Sequence, residues 1–219
     1  MIPTTKFKAA LGGLALIAAA VLPANAATAV PDSVPVATSK PVPKLGYSTQ
    51  SVKTLNIDFQ YQQTGYWCGP AATRIALSAR ISPPSQQQLA NELPTTTNGT
   101  DWIGQVTRVL NNHLGTGWYE TKEMPNDPPT QAQRDLLWRD VVLDIDNNYP
   151  IVANIVAPAS NHPPGYPNYT IYHYFTVIGY DSSDQTVLIA DPAGFAPTAT
   201  YWLTFNQLAT LIPPKGYAA

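Results

Sequence analysis

The residues in this chain best equipped for chemistry are a single cysteine, Cys68, and three histidines, His113, His162 and His173. A thiol nucleophile needs a base within hydrogen-bond reach, normally an imidazole. Cys68 stands directly before Gly69-Pro70 and the run Ala71-Ala72-Thr73-Arg74-Ile75-Ala76-Leu77. Such a run predicts a helix over residues 70–80, with Pro70 at the first helical position, where its missing N–H costs nothing. The partial positive charge of a helix N-terminus stabilises a thiolate, and the thiolate is the reactive form of cysteine. Most lone cysteines are small buried hydrophobes, but that role needs neither the helix start nor an adjacent glycine, which would let a substrate backbone approach.

Each histidine has a different setting. His113, in Asn111-Asn112-His113, reads as a solvated helix-end residue, and His162 lies in the Pro-rich segment Asn161-His162-Pro163-Pro164-Gly165, a candidate cleft rim. His173 opens a strand that is otherwise aromatic and aliphatic, Tyr174-Phe175-Thr176-Val177-Ile178. A hairpin turning about Ser182 would pair Val177 with Val187, Phe175 with Ile189 and His173 with Asp191. Directly opposed side chains of an antiparallel ladder are within hydrogen-bonding reach. An aspartate there would orient the imidazole and stabilise its cation. Acyl transfer also needs donors for the developing oxyanion: the Cys68 N–H is one, and an upstream amide, Gln62 or Gln63, is another.

The elements that must position these groups follow from periodicity. Leu55, Ile57 and Phe59 alternate with polar residues as a short first strand. After the Cys68 helix come a short helix over 85–92, a third capped by Thr100 or Asp101 with Ile103, Val106, Val109 and Leu110 on one face, and a long fourth over 130–148. Beyond Pro150 the pattern turns extended, with strands at 151–156, 172–180, 186–190 and 201–204 and a short helix at 205–211. Helices first and an antiparallel sheet second make an α+β domain in two segregated layers.

Upstream, Lys6 and Lys8 precede an apolar run ending at Leu22, then Pro23 and Ala24-Asn25-Ala26-Ala27, the pattern of a secretory signal with cleavage after Ala26. Residues 27–50 form a Pro-rich leader or linker, and 51–219 form one domain; about 190 residues remain after cleavage, enough for a sizeable core. The protein is therefore expected to be secreted, with no membrane contact once the signal is removed. Charged residues make up 12% of the chain and the formal net charge is −2, which argues against a nucleic-acid-binding surface.

Taken together, Gln62 six positions before Cys68, the run Cys68-Gly69-Pro70-Ala71-Ala72, the segment His173-Tyr174-Phe175-Thr176-Val177-Ile178-Gly179-Tyr180-Asp181 and Ile189-Ala190-Asp191-Pro192 resemble the papain-like fold. Within it they resemble the cysteine peptidases of family thirty-nine, known for bacteriocin leader processing. The resemblance implies Cys68 as nucleophile, His173 as base and then acid, Asp191 as the residue orienting His173, and Gln62 as oxyanion donor. It also implies a peptide or protein substrate, and no metal or organic cofactor. One departure is Tyr172, which stands where glycine commonly precedes the histidine. A cell-wall amidase or endopeptidase, a transglutaminase-like acyl transferase and a non-catalytic binding domain would keep the same residues, and the Pro-rich leader would suit a wall-associated protein.

Overall fold

The computed structural model describes residues 52–219; the signal segment and the leader lie outside the described residues. The elements run β1 (Val52–Thr54), α1 (Cys68–Ser78), α2 (Gln86–Glu92), α3 (Ile103–Leu114), β2 (Thr121–Glu123), α4 (Gln131–Asp146), β3 (Ile151–Ala157), β4 (Ile171–Asp181), β5 (Thr186–Ala190), β6 (Thr200–Thr204), α5 (Phe205–Leu211) and β7 (Gly216–Ala218). All seven strands form one antiparallel sheet in the order β2-β7-β3-β4-β5-β6, with β1 beside the far end of β4. The α+β class stands, with two additions. The three-residue strands β2 and β7 are too short to carry a periodic signal, and the helices divide between both faces of the sheet.

Strand alternation shows that division. Ile151, Ala153, Ile155, Phe175, Val177 and Ile189 join Leu137, Val141 and Ile145 of α4 and Leu208 and Leu211 of α5 in one core. Val152 and Tyr174, from the intervening positions, join Ala72, Ala76 and Leu77 of α1, Leu89 of α2 and Val106 and Leu110 of α3 in another. Successive side chains of a strand point to opposite faces, so a strand that is apolar at every position is covered on both sides.

Local chemistry sets the helix starts. Ser85 caps α2 by accepting from Gln88 N–H at 3.2 Å. Thr130 and Gln133 form a reciprocal capping box on α4. Trp102, rather than Thr100 or Asp101, is the N-cap of α3. The first helix begins at Cys68, two residues earlier than the proline suggests, and its first intrahelical bond runs from Ala71 N–H to Trp67 O at 2.9 Å. Pro70 is tolerated at the third position because the first four N–H groups of a helix have no intrahelical acceptor. The helix is buried from Gly69 to Leu77, a rigid base for its first residue.

Candidate active site

Three chain segments meet at one end of the sheet. Strand β5 ends at Ala190, opposite Thr176, so β4 before Thr176 is bare of β5. Its other edge pairs with β3 down to Ile171. The N-terminus of α1 sits against that bare stretch: Thr176 Oγ1 donates to Ala72 O at 2.9 Å, and the Cys68 sulfur accepts from the backbone N–H groups of Tyr174 and Gly69. Gly69 is needed for packing as well. A Cβ there would lie 2.2 Å from Thr100 Oγ1, so the glycine admits the turn that leads into α3.

His173 projects from the same stretch and is 4% exposed. Its Nε2–H donates to Asp191 Oδ1 at 2.8 Å, and its side chain also hydrogen-bonds Cys68. With Nε2 taken by the carboxylate, the bond to sulfur falls to Nδ1.

The hairpin reaches this arrangement by a register that differs from the sequence expectation. Its loop is the four residues 182–185, with Asp181 opposite Thr186 and Tyr180 opposite Val187, and Gln185 adopts a left-handed φ of 55°. Continued unbroken, that register would set Asp191 opposite Thr176, whose side chain faces α1. A bulge at Ile178 absorbs one residue of β4, so that Val177 pairs with Ile189 and Thr176 with Ala190. Asp191 then follows opposite Phe175, on the face His173 shares, and reaches the ring along the diagonal rather than directly across. Gly179 makes room at the bulge, because a Cβ there would lie 2.7 Å from the Lys53 carbonyl oxygen on β1.

Asp191 is 2% exposed and accepts four hydrogen bonds. Oδ1 takes His173 Nε2–H and, at 2.9 Å, Ala193 N–H; Oδ2 takes the hydroxyls of Tyr166 at 2.7 Å and Tyr201 at 2.6 Å. Sequence reasoning missed both tyrosines. Tyr201 sits opposite Ile189 on β6, and Tyr166 follows Gly165 in the Pro-rich loop, so only the fold brings them to the carboxylate. Losing either hydroxyl removes a bond to a buried charge: Tyr166→Phe or Tyr201→Phe is expected to cost about 1.5–3 kcal/mol of stability, measured by denaturant unfolding, and to leave the Cys68–His173 contact in place.

The electrostatics favour an ion pair. Burial pushes the Asp191 carboxyl up, but the charge and hydrogen bond of His173, with the Tyr201 and Ala193 donors, outweigh it and hold the group at about 2. Burial pushes the His173 ring down, yet the adjacent Asp191 and Cys68 raise it to about 10. The Cys68 thiol is pushed up by burial and pulled further down by the hydrogen bond and charge of His173 and by the two backbone donors, so it lies below its ordinary value. Thiolate and imidazolium thus stabilise each other. The pH dependence has a definite sign. Carbamidomethylation of Cys68 by iodoacetamide is expected to stay fast below the range of an ordinary thiol, ~8.5, and to slow on acidification as the thiolate takes a proton. A rate that follows an ordinary thiol titration would remove the ion pair.

Gln62 is half-buried and held at two points: its Nε2 donates to Thr64 O at 3.0 Å, and its backbone N–H donates to Pro192 O at 2.9 Å, beside Asp191. Its Oε1 is buried without a hydrogen-bond partner. Gln63 is exposed. The other two histidines lie elsewhere. His113 pairs with Glu92 at 2.6 Å rather than being merely solvated, and His162 contacts Pro163 O at 3.1 Å and stacks on Tyr166. A hollow of about 170 Å³ opens at Cys68 and His173, with Tyr172 at its lip and 69% exposed. Trp102 lines an adjoining hollow, whereas Trp67 packs edge-on against Tyr66.

A family model described as "Peptidase_C39 like family" matches residues 54–210. None of the curated proteins matches the sequence significantly. Among solved structures, one described as a C39-like peptidase from Bacillus anthracis is 14% identical, covers 77% of this chain and 97% of its own, and superposes with a TM-score of 0.50. The peptidase domain of Streptococcus ComA, a bi-functional ABC transporter involved in quorum sensing, is 18% identical over 75% of this chain and 98% of its own, with a TM-score of 0.48. Xylellain, a cysteine protease from Xylella fastidiosa, is 14% identical over 77% and 85%, with a TM-score of 0.43. At such identities the Bacillus anthracis structure speaks to the fold alone.

Proposed function

Because this chain belongs to the Peptidase_C39 like family and is a cysteine-type peptidase, we propose that it is a secreted enzyme cleaving peptide bonds through Cys68, His173 and Asp191. One observation carries the reading: the sole cysteine lies at the first residue of a buried helix, hydrogen-bonded to an imidazole whose other nitrogen is bound to a buried carboxylate. The signal-like N-terminus supports export.

In the proposed reaction the Cys68 thiolate attacks the scissile carbonyl carbon, and the carbonyl π electrons move to oxygen. In this reading the oxyanion accepts from the Cys68 N–H, one of the first amides of α1, which have no helical acceptor, and from one N–H of the Gln62 side-chain amide. Collapse of the adduct breaks the C–N bond. His173 Nδ1–H gives its proton to the departing amine, leaving a thioester on Cys68 and a neutral imidazole. That imidazole then takes a proton from water as it attacks the thioester, and thiolate and imidazolium are restored with release of the acid. Asp191 keeps its charge throughout and holds the ring in place.

The test is digestion of an internally quenched peptide library before and after treatment with iodoacetamide, with intact mass measured in parallel. One carbamidomethyl group on Cys68 and loss of all cleavage are expected. Fragments released from purified peptidoglycan, with no polypeptide cut, would move the substrate to the cell wall. Incorporation of an added primary amine in place of water would make the enzyme an acyl transferase. No turnover of peptides or wall would end the hydrolase reading.

A further inference from the structure

We infer that the cleft beside Cys68 contains a subsite selecting a neutral, dipolar side chain, a carboxamide such as glutamine or asparagine, in a peptide substrate. This deepens the peptidase reading and rests on it. Two hollows of about 170 Å³ each adjoin: one reaches Cys68 and His173, the other lies against Trp102 and Glu123, and Asp101, Asn154 and Lys215 line both. Those three residues therefore mark the junction, next along the cleft from the nucleophile. No aliphatic side chain lines the hollow at Cys68, where Tyr172 and Tyr174 are the large apolar groups, and Ile103 and Pro214 line the other hollow.

The charges at the junction are left unused by the fold. Among the described residues neither the Asp101 carboxylate nor the Lys215 ammonium has a hydrogen-bond or ion-pair partner, and Lys215 Nζ only approaches the Tyr172 ring, at 5.8 Å from its centre. Asn154 is 5% exposed, a polar residue in an otherwise apolar strand, and its Nδ2 donates to the Tyr174 hydroxyl at 2.9 Å. That bond fixes the amide in the same lining as two charges of opposite sign. A lysine entering here gains Asp101 but meets Lys215, and a glutamate meets the reverse. An aliphatic group would strip water from both charges and return no hydrogen bond. A carboxamide offers N–H to Asp101 and C=O to Lys215, leaving neither charge unpaired. Sites made to hydrogen-bond a substrate group reject analogues that lack it far more strongly than apolar pockets reject a change of shape.

Quenched peptides differing at one position at a time, scanned along the cleaved sequence, read this directly. At one position kcat/KM for glutamine or asparagine is expected to exceed that for leucine, lysine and glutamate by roughly 10-fold or more. Asp101→Lys should move the preference there to glutamate, and Lys215→Glu should move it to lysine. The exchange Asp101→Lys with Lys215→Glu should restore the carboxamide. Asp101 is exposed and Lys215 partly so, and an unchanged thermal midpoint checks that each variant folds. A leucine or phenylalanine preference at every position, or a preference that neither charge reversal moves, overturns the subsite while leaving the peptidase intact. Absence of any Cys68-dependent peptide cleavage overturns the peptidase reading itself, and the subsite with it.

Discussion

Cys68→Ala is expected to lower kcat/KM on a cleavable peptide by ~10⁵-fold or more, the scale on which a covalent catalyst loses its nucleophile. The fold should survive. Cys68 is only partly buried, alanine is the best helix former, and Cys68 and Tyr174 line a cleft that water can enter. An unchanged thermal midpoint beside lost turnover would separate chemistry from folding. Cys68→Ser sharpens the comparison, because it keeps an oxygen where the sulfur was. In the wild type the Cys68 thiolate itself helps keep His173 protonated, whereas a serine hydroxyl is not already ionised and must give up its proton as it attacks. The serine variant should therefore be nearly as inactive as the alanine. Hydrolysis by Cys68→Ala at the wild-type rate would place the nucleophile elsewhere.

Asp191→Ala is expected to cost on the order of 10⁴-fold in kcat/KM, the scale on which a triad loses its carboxylate. It should also cost about 3–5 kcal/mol of stability, because removing one partner of a buried pair strands the other. Here the stranded groups are the His173 ring, two tyrosine hydroxyls and the Ala193 amide. Asp191→Asn should be much milder in both respects. Its amide oxygen can accept from His173 and Ala193, while its NH₂ can donate to the Tyr166 and Tyr201 oxygens, since hydroxyls serve as acceptors too. The ring stays oriented and only the charge is lost. The variant is expected to retain measurable turnover, with a high-pH limb that falls earlier than in the wild type as His173 gives up its proton more easily. Equal loss in the alanine and asparagine variants would mean that charge alone, not the hydrogen-bond clamp, matters at this position.

The same shifts give stability a signed pH dependence. His173 is raised to about 10, so its contribution is complete below its unfolded value near ~6.5 and disappears as pH rises through about 10. Asp191 is held at about 2, so its contribution is complete above its unfolded value near ~3.9 and is lost as pH falls through about 2. Denaturant midpoints should accordingly be least sensitive to these two groups between about pH 4 and 6.5.

Cys68 was legible because its chemistry is local. A thiol at the head of a proline-bearing helix declares both its position and its activation, and a single cysteine leaves no competing nucleophile of that type. His173 and Asp191 were legible as partners, though for an incomplete reason. The turn proved longer than the sequence pattern implies, and a bulge at Ile178 corrected the parity. Strand periodicity carries side-chain direction modulo two, so a register displaced by two residues at the site preserves the shared face while moving Asp191 from directly opposite His173 to the diagonal.

What tertiary structure alone decided is everything assembled from distant segments. Tyr166 and Tyr201 converge on Asp191 from a loop and an outer strand, and nothing in their neighbours announces it. Gly69, beside Cys68, also seats Thr100. The polar junction draws Asp101 from the turn before α3, Asn154 from β3 and Lys215 from the turn before β7. Only Asn154 left a trace in the sequence, as the one polar position in Ile151–Ala157. Residue type and helical or strand period act over a few neighbours, so sequence could single out Cys68, His173 and Asp191 as a cluster. The cleft that meets the substrate depends on how three loops pack, and that is settled only when the sheet closes beneath them.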